Sequence, residues 1–407
     1  IHLTHHSKTA HVYIAENRPV LVPSIPMGKA DLSALRYNTP DELMRLAATT
    51  GGKFPTYREA DEDDLAWLID EFAAAARRAR DAGADAVEVH AAHGYVLSTF
   101  LARADNRRED RWGGSLENRA RLTTEVLRAA RAAMGPDMAL LVRISGREFG
   151  EAGALTLDES VAVARMCTEA GADAIHVTGW GRNSFANLTD GPLPDTIAAY
   201  RSDAKAMRAG VDVPVIAVGR ILPEVAEEML AAGECDFVAM GRQLLADPDL
   251  VVKLREGRSA SVRPCINCYV CVEQNFYDEP PRCAVNPALG HEDLAALPPA
   301  DDAKHVVVVG GGPAGMEAAR IATERGHRVT LIDAAGDIGG QRVFIVTDPG
   351  GSGTFTADPS APAPPRSERP PVPGKKPISG AYSWIETVST LGSSQKIACG
   401  PSPWCTS

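Results

Sequence analysis

Four cysteines, Cys265, Cys268, Cys271 and Cys283, lie within residues 263–287 with the spacing Cys-x2-Cys-x2-Cys-x11-Cys. Three thiolates so closely set can converge on one point from a single loop, and the fourth returns after a longer excursion. That arrangement surrounds a compact soft centre, either an iron–sulfur cubane or a single zinc ion. Zinc sites more often use two separated Cys-x2-Cys pairs, so a triplet with a distant fourth leans toward [4Fe–4S]. The bland alternative is four unrelated buried or disulfide-bonded cysteines. Against it stands the concentration of half of the chain's eight cysteines in this one stretch.

A second group able to do chemistry follows. Residues 305–309 form a strand that is purely apolar after His305, and Gly310, Gly312 and Gly315 then supply Gly-x-Gly-x-x-Gly ahead of an amphipathic stretch to residue 325. A second strand, 328–332, ends in Asp333. Strand, glycine turn, helix, strand and acid in that order predict a dinucleotide site. The glycines let backbone amides approach a pyrophosphate, and the acid takes ribose hydroxyls. The alternative is a glycine-rich turn with no ligand.

The elements before the cysteines repeat one unit. Residues 61–83 carry Leu65, Leu68, Ile69, Phe72, Ala76 and Ala79 at helical spacing, with acids at the start, arginines at the end and Gly83 as C-terminal cap. A strand follows at 86–90. Helix and strand recur as 115–134 with 139–144, then 156–171 with 174–177. They recur again as 200–209 with 215–218, and as 223–233 with 236–240. Thr156 and Glu159 predict a capping box. The stretch between residues 5 and 55 is expected to be a loop rich in Pro, Gly and polar residues.

Short apolar strands alternating with helices mean an α/β protein with a parallel sheet. A doubly wound open sheet is one solution. A TIM (β/α)8 barrel lacking its first two strands fits better, because the first strand is already cut at residue 1. The expected organisation is an incomplete barrel over 1–260, a cysteine-cluster segment and linker over 261–300, and a partial Rossmann-like domain over 301–341. Residues 342–407 form a proline-rich tail expected to be disordered.

The net charge of −11 argues against nucleic acid or an anionic membrane as partner. Thiolate ligands need a reducing compartment, and no membrane-length apolar run occurs, so a cytoplasmic setting is expected. The expected partner is a small-molecule substrate, and the composition allows a homo-oligomer.

His90-Ala-Ala-His93-Gly-Tyr95, followed by the motif at 100–119, resembles the Old Yellow Enzyme family of FMN-dependent reductases. The cysteine loop and the glycine motif resemble its multidomain iron–sulfur branch, which includes 2,4-dienoyl-CoA reductase, trimethylamine dehydrogenase and NADH:flavin oxidoreductases. The resemblance covers residues 1–341.

It implies FMN in the barrel, a [4Fe–4S] cluster on the four cysteines, FAD or its ADP portion in the nucleotide domain, and NAD(P)H as reductant. It places His93, Tyr95 and His90 on the substrate face, with Tyr95 as proton donor and the histidines as hydrogen-bond donors to a substrate oxygen. Arg143 falls beside the flavin N1–O2 edge. Gly219 and Arg220, with Met240, Gly241 and Arg242, form the phosphate grip, and Gly340 and Gln341 a second flavin contact.

Two departures stand out. His2 occupies the place of the family's glutamine against the flavin, and the dienoyl-CoA reductase's catalytic histidine has no counterpart near Arg182 or Asn183. The implied activity is reduction of an activated C=C bond. The alternatives are an oxidative amine dehydrogenase or demethylase, and a non-catalytic fragment.

Overall fold

The computed structural model describes residues 1–7, 10–27, 39–149, 152–181, 197–277, 279–295 and 297–333. Gly340, Gln341, Arg182, Asn183 and the tail 342–407 lie outside these. The strands are β1 (His2–Leu3), β2 (Val20–Val22), β3 (Tyr57–Glu59), β4 (Ala86–Ala91), β5 (Ala139–Phe149), β6 (Ala174–Gly181), β7 (Val215–Ala217), β8 (Phe237–Val238), β9 (His305–Val309) and β10 (Arg328–Ile332).

One parallel sheet runs β1-β4-β5-β6-β7-β8. Each strand pairs with its successor in the sheet, and the order never reverses. A doubly wound sheet must reverse at a switch point, so that alternative falls and the sheet is the wall of a (β/α)8-type barrel. Among the described residues the wall does not close.

The helices cover one side of this wall. Glu62–Asp81 begins at a reciprocal cap, where Asp61 accepts from the Asp64 amide at 2.9 Å and Asp64 from the Asp61 amide at 3.0 Å. Arg78 and Arg80 close its last turn against the helix dipole. It buries Leu65, Leu68, Phe72, Ala76 and Ala79, the face that the 3.6-residue period picks out. Ser115 caps Leu116–Met134, and the Thr156–Glu159 capping box opens Leu157–Glu169 as expected.

On β5, Leu140, Val142 and Ile144 are fully buried in the same apolar core as Leu122, Leu127 and Val163 of these helices. Alternation along the strand therefore turns Leu141, Arg143 and Ser145 to the opposite, inner face. The helix Leu116–Met134 also carries Arg119 into that core. Its guanidinium is fully buried and paired with Glu159 at 2.7 Å and with the Leu101 and Gly114 carbonyls.

The expected loop up to residue 55 is wrong in two places. A short helix, His11–Ala15, is followed by β2, which pairs in parallel with β3. The helix Pro40–Thr49 then starts at a Thr39–Glu42 capping box with Pro40 at its first position. The box is visible in the sequence, but the surrounding Pro and Gly masked it.

After the barrel, β9, the helix Pro313–Glu324 and β10 form one parallel unit. Leu68→Ala should cost about 2–5 kcal/mol by denaturant unfolding. Phe54→Ala, at 82% exposure, should stay within about 0.5 kcal/mol.

Candidate active site

The inner face of the sheet carries a continuous polar chain. Register places His2 beside Glu88, and His90 beside Arg143, which in turn lies beside His176. Glu88 and His90 are two residues apart on β4, as His176 and Thr178 are on β6, so each pair shares one face. His2 Nδ1 meets Glu88 Oε1 at 2.5 Å, and His176 Nδ1 meets Glu88 Oε2 at 2.7 Å. His2 Nε2 bonds His90 Nδ1, His90 Nε2 lies 2.9 Å from His93 Nδ1, and His93 Nε2 lies 3.0 Å from Thr178 Oγ1. Arg143 Nη2 approaches Thr178 Oγ1 at 3.5 Å.

Burial alone would raise the Glu88 carboxyl, but the hydrogen bonds from His176 and His2 override it and hold it well below the usual carboxylate range. Burial, aided by His2 and Arg143, pushes His90 down to about 2. His93 is lowered by burial and then by Arg143 and His90. Both rings are therefore neutral at working pH.

Beyond β4 the chain turns sharply. His93 and Gly94 both take left-handed conformations, with φ of 59° and 71°. A Cβ at Gly94 would lie 2.4 Å from the Trp180 ring, so only glycine fits there. A left-handed histidine is uncommon, and such backbone often marks a functional turn. The turn delivers Tyr95 onto the histidines. Its ring stacks on His6 at 4.9 Å, tilts over His90 at 4.9 Å and meets His93 edge-on at 6.5 Å. The structure thus brings His90, His93, Tyr95 and Arg143 into one neighbourhood.

Sequence reasoning passed over Glu88, His176 and Thr178. The available signal was a carboxylate in Val87-Glu88-Val89 and a His-x-Thr alternation in β6, polar residues set at period two within apolar strands.

The residues after β7 and β8 offer an anion site. Gly219 and Arg220 are left-handed, at φ 120° and 52°, and a Cβ at Gly219 would strike Tyr200 at 2.7 Å. The buried Arg220 Nη1 has no protein partner among the described residues. A Cβ at Gly241 would meet nothing within 4 Å, so the backbone there is bare. A partnerless guanidinium nitrogen beside open backbone fits the phosphate of FMN.

Arg242 sends its guanidinium elsewhere, to Asn267 Oδ1 and over the Tyr269 ring at 4.5 Å. Its neighbour Gln243 bonds the Arg263 carbonyl and the Cys265 amide, each at 2.9 Å. The short helix Gly241–Ala246, capped by Met240, thus holds the cysteine loop.

In that loop Cys271 lies in the helix Val270–Phe276, Cys265 and Cys268 precede it, and Cys283 follows. Asn267 and Tyr269, on either side of the exposed Cys268, are both left-handed. Among the described residues no three such groups are gathered at metal-binding distance. Yet burial, then Cys265, with Cys268 and Cys283 adding to it, raises the Cys271 thiol. The four sulfurs share one electrostatic neighbourhood, and as a soft donor set they fit a metal centre in chemistry.

The glycine turn also fits its ligand. Gly310 has φ 104°, a Cβ at Gly312 would meet nothing within 4 Å, and a Cβ at Gly315 would fall 1.8 Å from the Gly310 carbonyl oxygen. That is open backbone at the turn and forced close packing behind it. Asp333 accepts from the Gly311 amide at 2.5 Å, tying the acid to the turn.

A parallel barrel wall followed in the chain by a dinucleotide-type glycine turn defines a flavin-type oxidoreductase. The chain belongs to the NADH:flavin oxidoreductase / NADH oxidase family, matched over residues 28–261. Residues 288–355 match the pyridine nucleotide-disulphide oxidoreductase family.

It is 40% identical over 298 residues to an NADH oxidase of Thermoanaerobacter brockii, covering 72% of this chain and 45% of that protein. It is 36% identical over 322 residues to a cinnamate reductase of Clostridium sporogenes, covering 74% and 47%. A solved histamine dehydrogenase from Rhizobium sp. 4-9 aligns with a TM-score of 0.69 and 29% identity, over 84% and 47%. The chain spans about half the length of the relatives it matches. Among the described residues no helix is long and apolar enough to cross a membrane.

His90 and His93 stay neutral in the fold but take protons when unfolded, so stability must fall as pH drops below about 6.5. Urea unfolding between pH 7 and 5 should show this slope, approaching about 1.4 kcal/mol per pH unit for each histidine. His90→Gln should reduce it.

Proposed function

We propose that this chain carries the FMN barrel, cysteine cluster and nucleotide turn of an NAD(P)H-driven reductase of activated C=C bonds. The observation that carries the reading is the Tyr95 phenol packed on His90 and His93 beside Arg143. Bound at these positions, FMN would exchange hydride with the substrate, a [4Fe–4S] cluster would pass single electrons, and FAD or its ADP portion would occupy the nucleotide turn with NAD(P)H as reductant.

The chain's own residues supply the rest. Arg143 provides fixed positive charge where negative charge develops. Gly219, Arg220, Met240, Gly241 and Arg242 would hold the phosphate, the last three through backbone. Tyr95 holds a transferable proton on its phenol oxygen, which suits it to be the acid that a C=C reduction needs opposite the hydride. Two buried neutral imidazoles leave that role to the phenol. The name of the cinnamate reductase relative supports this substrate class.

A second reading, oxidation of an amine, draws on the likeness to histamine dehydrogenase and on Trp180 as an aromatic wall. Under anaerobic conditions the loaded protein should bleach with NADH and recolour with an enone. Bleaching by a methylated amine would favour the second reading instead.

Tyr95→Phe should leave reduction by NADH near normal and slow reoxidation by an enone about 10²–10⁴-fold. Equal turnover would remove Tyr95 from the reaction. For the cluster, anaerobic protein should contain iron and acid-labile sulfide that Cys283→Ala loses. Stoichiometric zinc in their place would sink that assignment.

A further inference from the structure

The polar chain on the inner face has two ends of fixed character. At one end the Glu88 carboxylate can only accept hydrogen bonds. At the other, Arg143 can only donate. Between them each imidazole, when neutral, must donate from one ring nitrogen and accept at the other. Starting from Glu88, His2 must donate from Nδ1, leaving Nε2 to accept from His90 Nδ1–H. His90 Nε2 then accepts from His93 Nδ1–H, and His93 Nε2 accepts from the Thr178 hydroxyl. Starting from Arg143, the Thr178 oxygen accepts from Nη2 and its proton is free to point at His93. Both ends therefore impose the same direction on the chain. His176 closes the other side of the carboxylate with its own Nδ1–H, and its buried Nε2, the acceptor, has no partner among the described residues.

We propose that Glu88 is a positioning residue that, through His2, fixes the direction of this chain and so the tautomers of His90 and His93. In this state His93 presents an acceptor at Nε2 and has no proton there to give a substrate oxygen. A proton taken up at His93 Nε2 would reverse every bond. Each ring would take a proton at Nε2 and release the one on Nδ1 to its neighbour, and the last would stand on Glu88. One proton enters, one reaches the carboxylate, and no electrons move. The role of that relay in catalysis rests on the substrate-face reading above. The tautomers themselves do not.

The test is ¹⁵N NMR of the full histidine-labelled chain, with resonances assigned by loss in His90→Gln and His93→Gln. His2, His90, His93 and His176 should all carry the proton on Nδ1, the minor form of free imidazole. In Glu88→Gln the amide can donate as well as accept, so His90 and His93 should shift toward the Nε2-protonated form. If Glu88→Gln fails to fold, His2→Phe cuts the same link from an edge strand and should produce the same shift. An Nε2 proton on His90 or His93 in the unaltered chain would overturn the proposal. So would tautomers unchanged in the folded variant. Because the readout is not turnover, failure to reduce enones would sink the enzymatic reading and leave this one standing.

Discussion

A carboxylate on the inner face of a parallel strand is the constraint that orders this site. Glu88 is only 17% exposed at its side chain, and a buried charge without partners is costly. Two imidazoles from different strands, His2 and His176, satisfy it. That requirement ties β1 to β4 by a side chain as well as by the backbone ladder, and reaches across β5 to tie β6 to β4. It also aligns His90 and His93 between an anion and a guanidinium. The inner face is thus neither an apolar plug nor a set of separate charges. It is one network in which removing a member leaves another unsatisfied.

The electrostatics follow from that placement. Burial suppresses protonation of both His90 and His93, and the Arg143 charge pushes the same way. The guanidinium supplies positive charge on this face that does not titrate in the working range. The field that Arg143 sets on this face therefore stays constant across pH.

What the sequence disclosed was what depends on local spacing. Capping boxes at Thr156, a glycine turn between two apolar strands, and helices with a 3.6-residue apolar period were all legible, because each is decided within about one turn of chain. The sequential sheet order was legible only as a preference over a doubly wound sheet, since strand pairing is not local. Glu88, His176 and Thr178 went unread because their meaning depends on register across β1, β4 and β6. Arg242 shows the same limit from the other direction. Its motif identified the position, yet the guanidinium points to Asn267 and Tyr269, a choice made by a loop that follows it in the chain. The left-handed His93 could not be foreseen either, although Gly94 beside it announced a turn.

The short helix Gly241–Ala246 has one further consequence. Besides Arg242 and Gln243, its Leu245 carbonyl receives Asn286, and Asp247 just beyond it accepts from the Arg263 amide at 2.7 Å. The last turn of the barrel and the loop that carries the cysteines are therefore cut from one piece. Anyone grafting a cysteine loop from one relative onto another should place the seam before Gly241 rather than near residue 260, because a junction drawn at 260 would sever both bonds of Gln243 and strand the loop without its template.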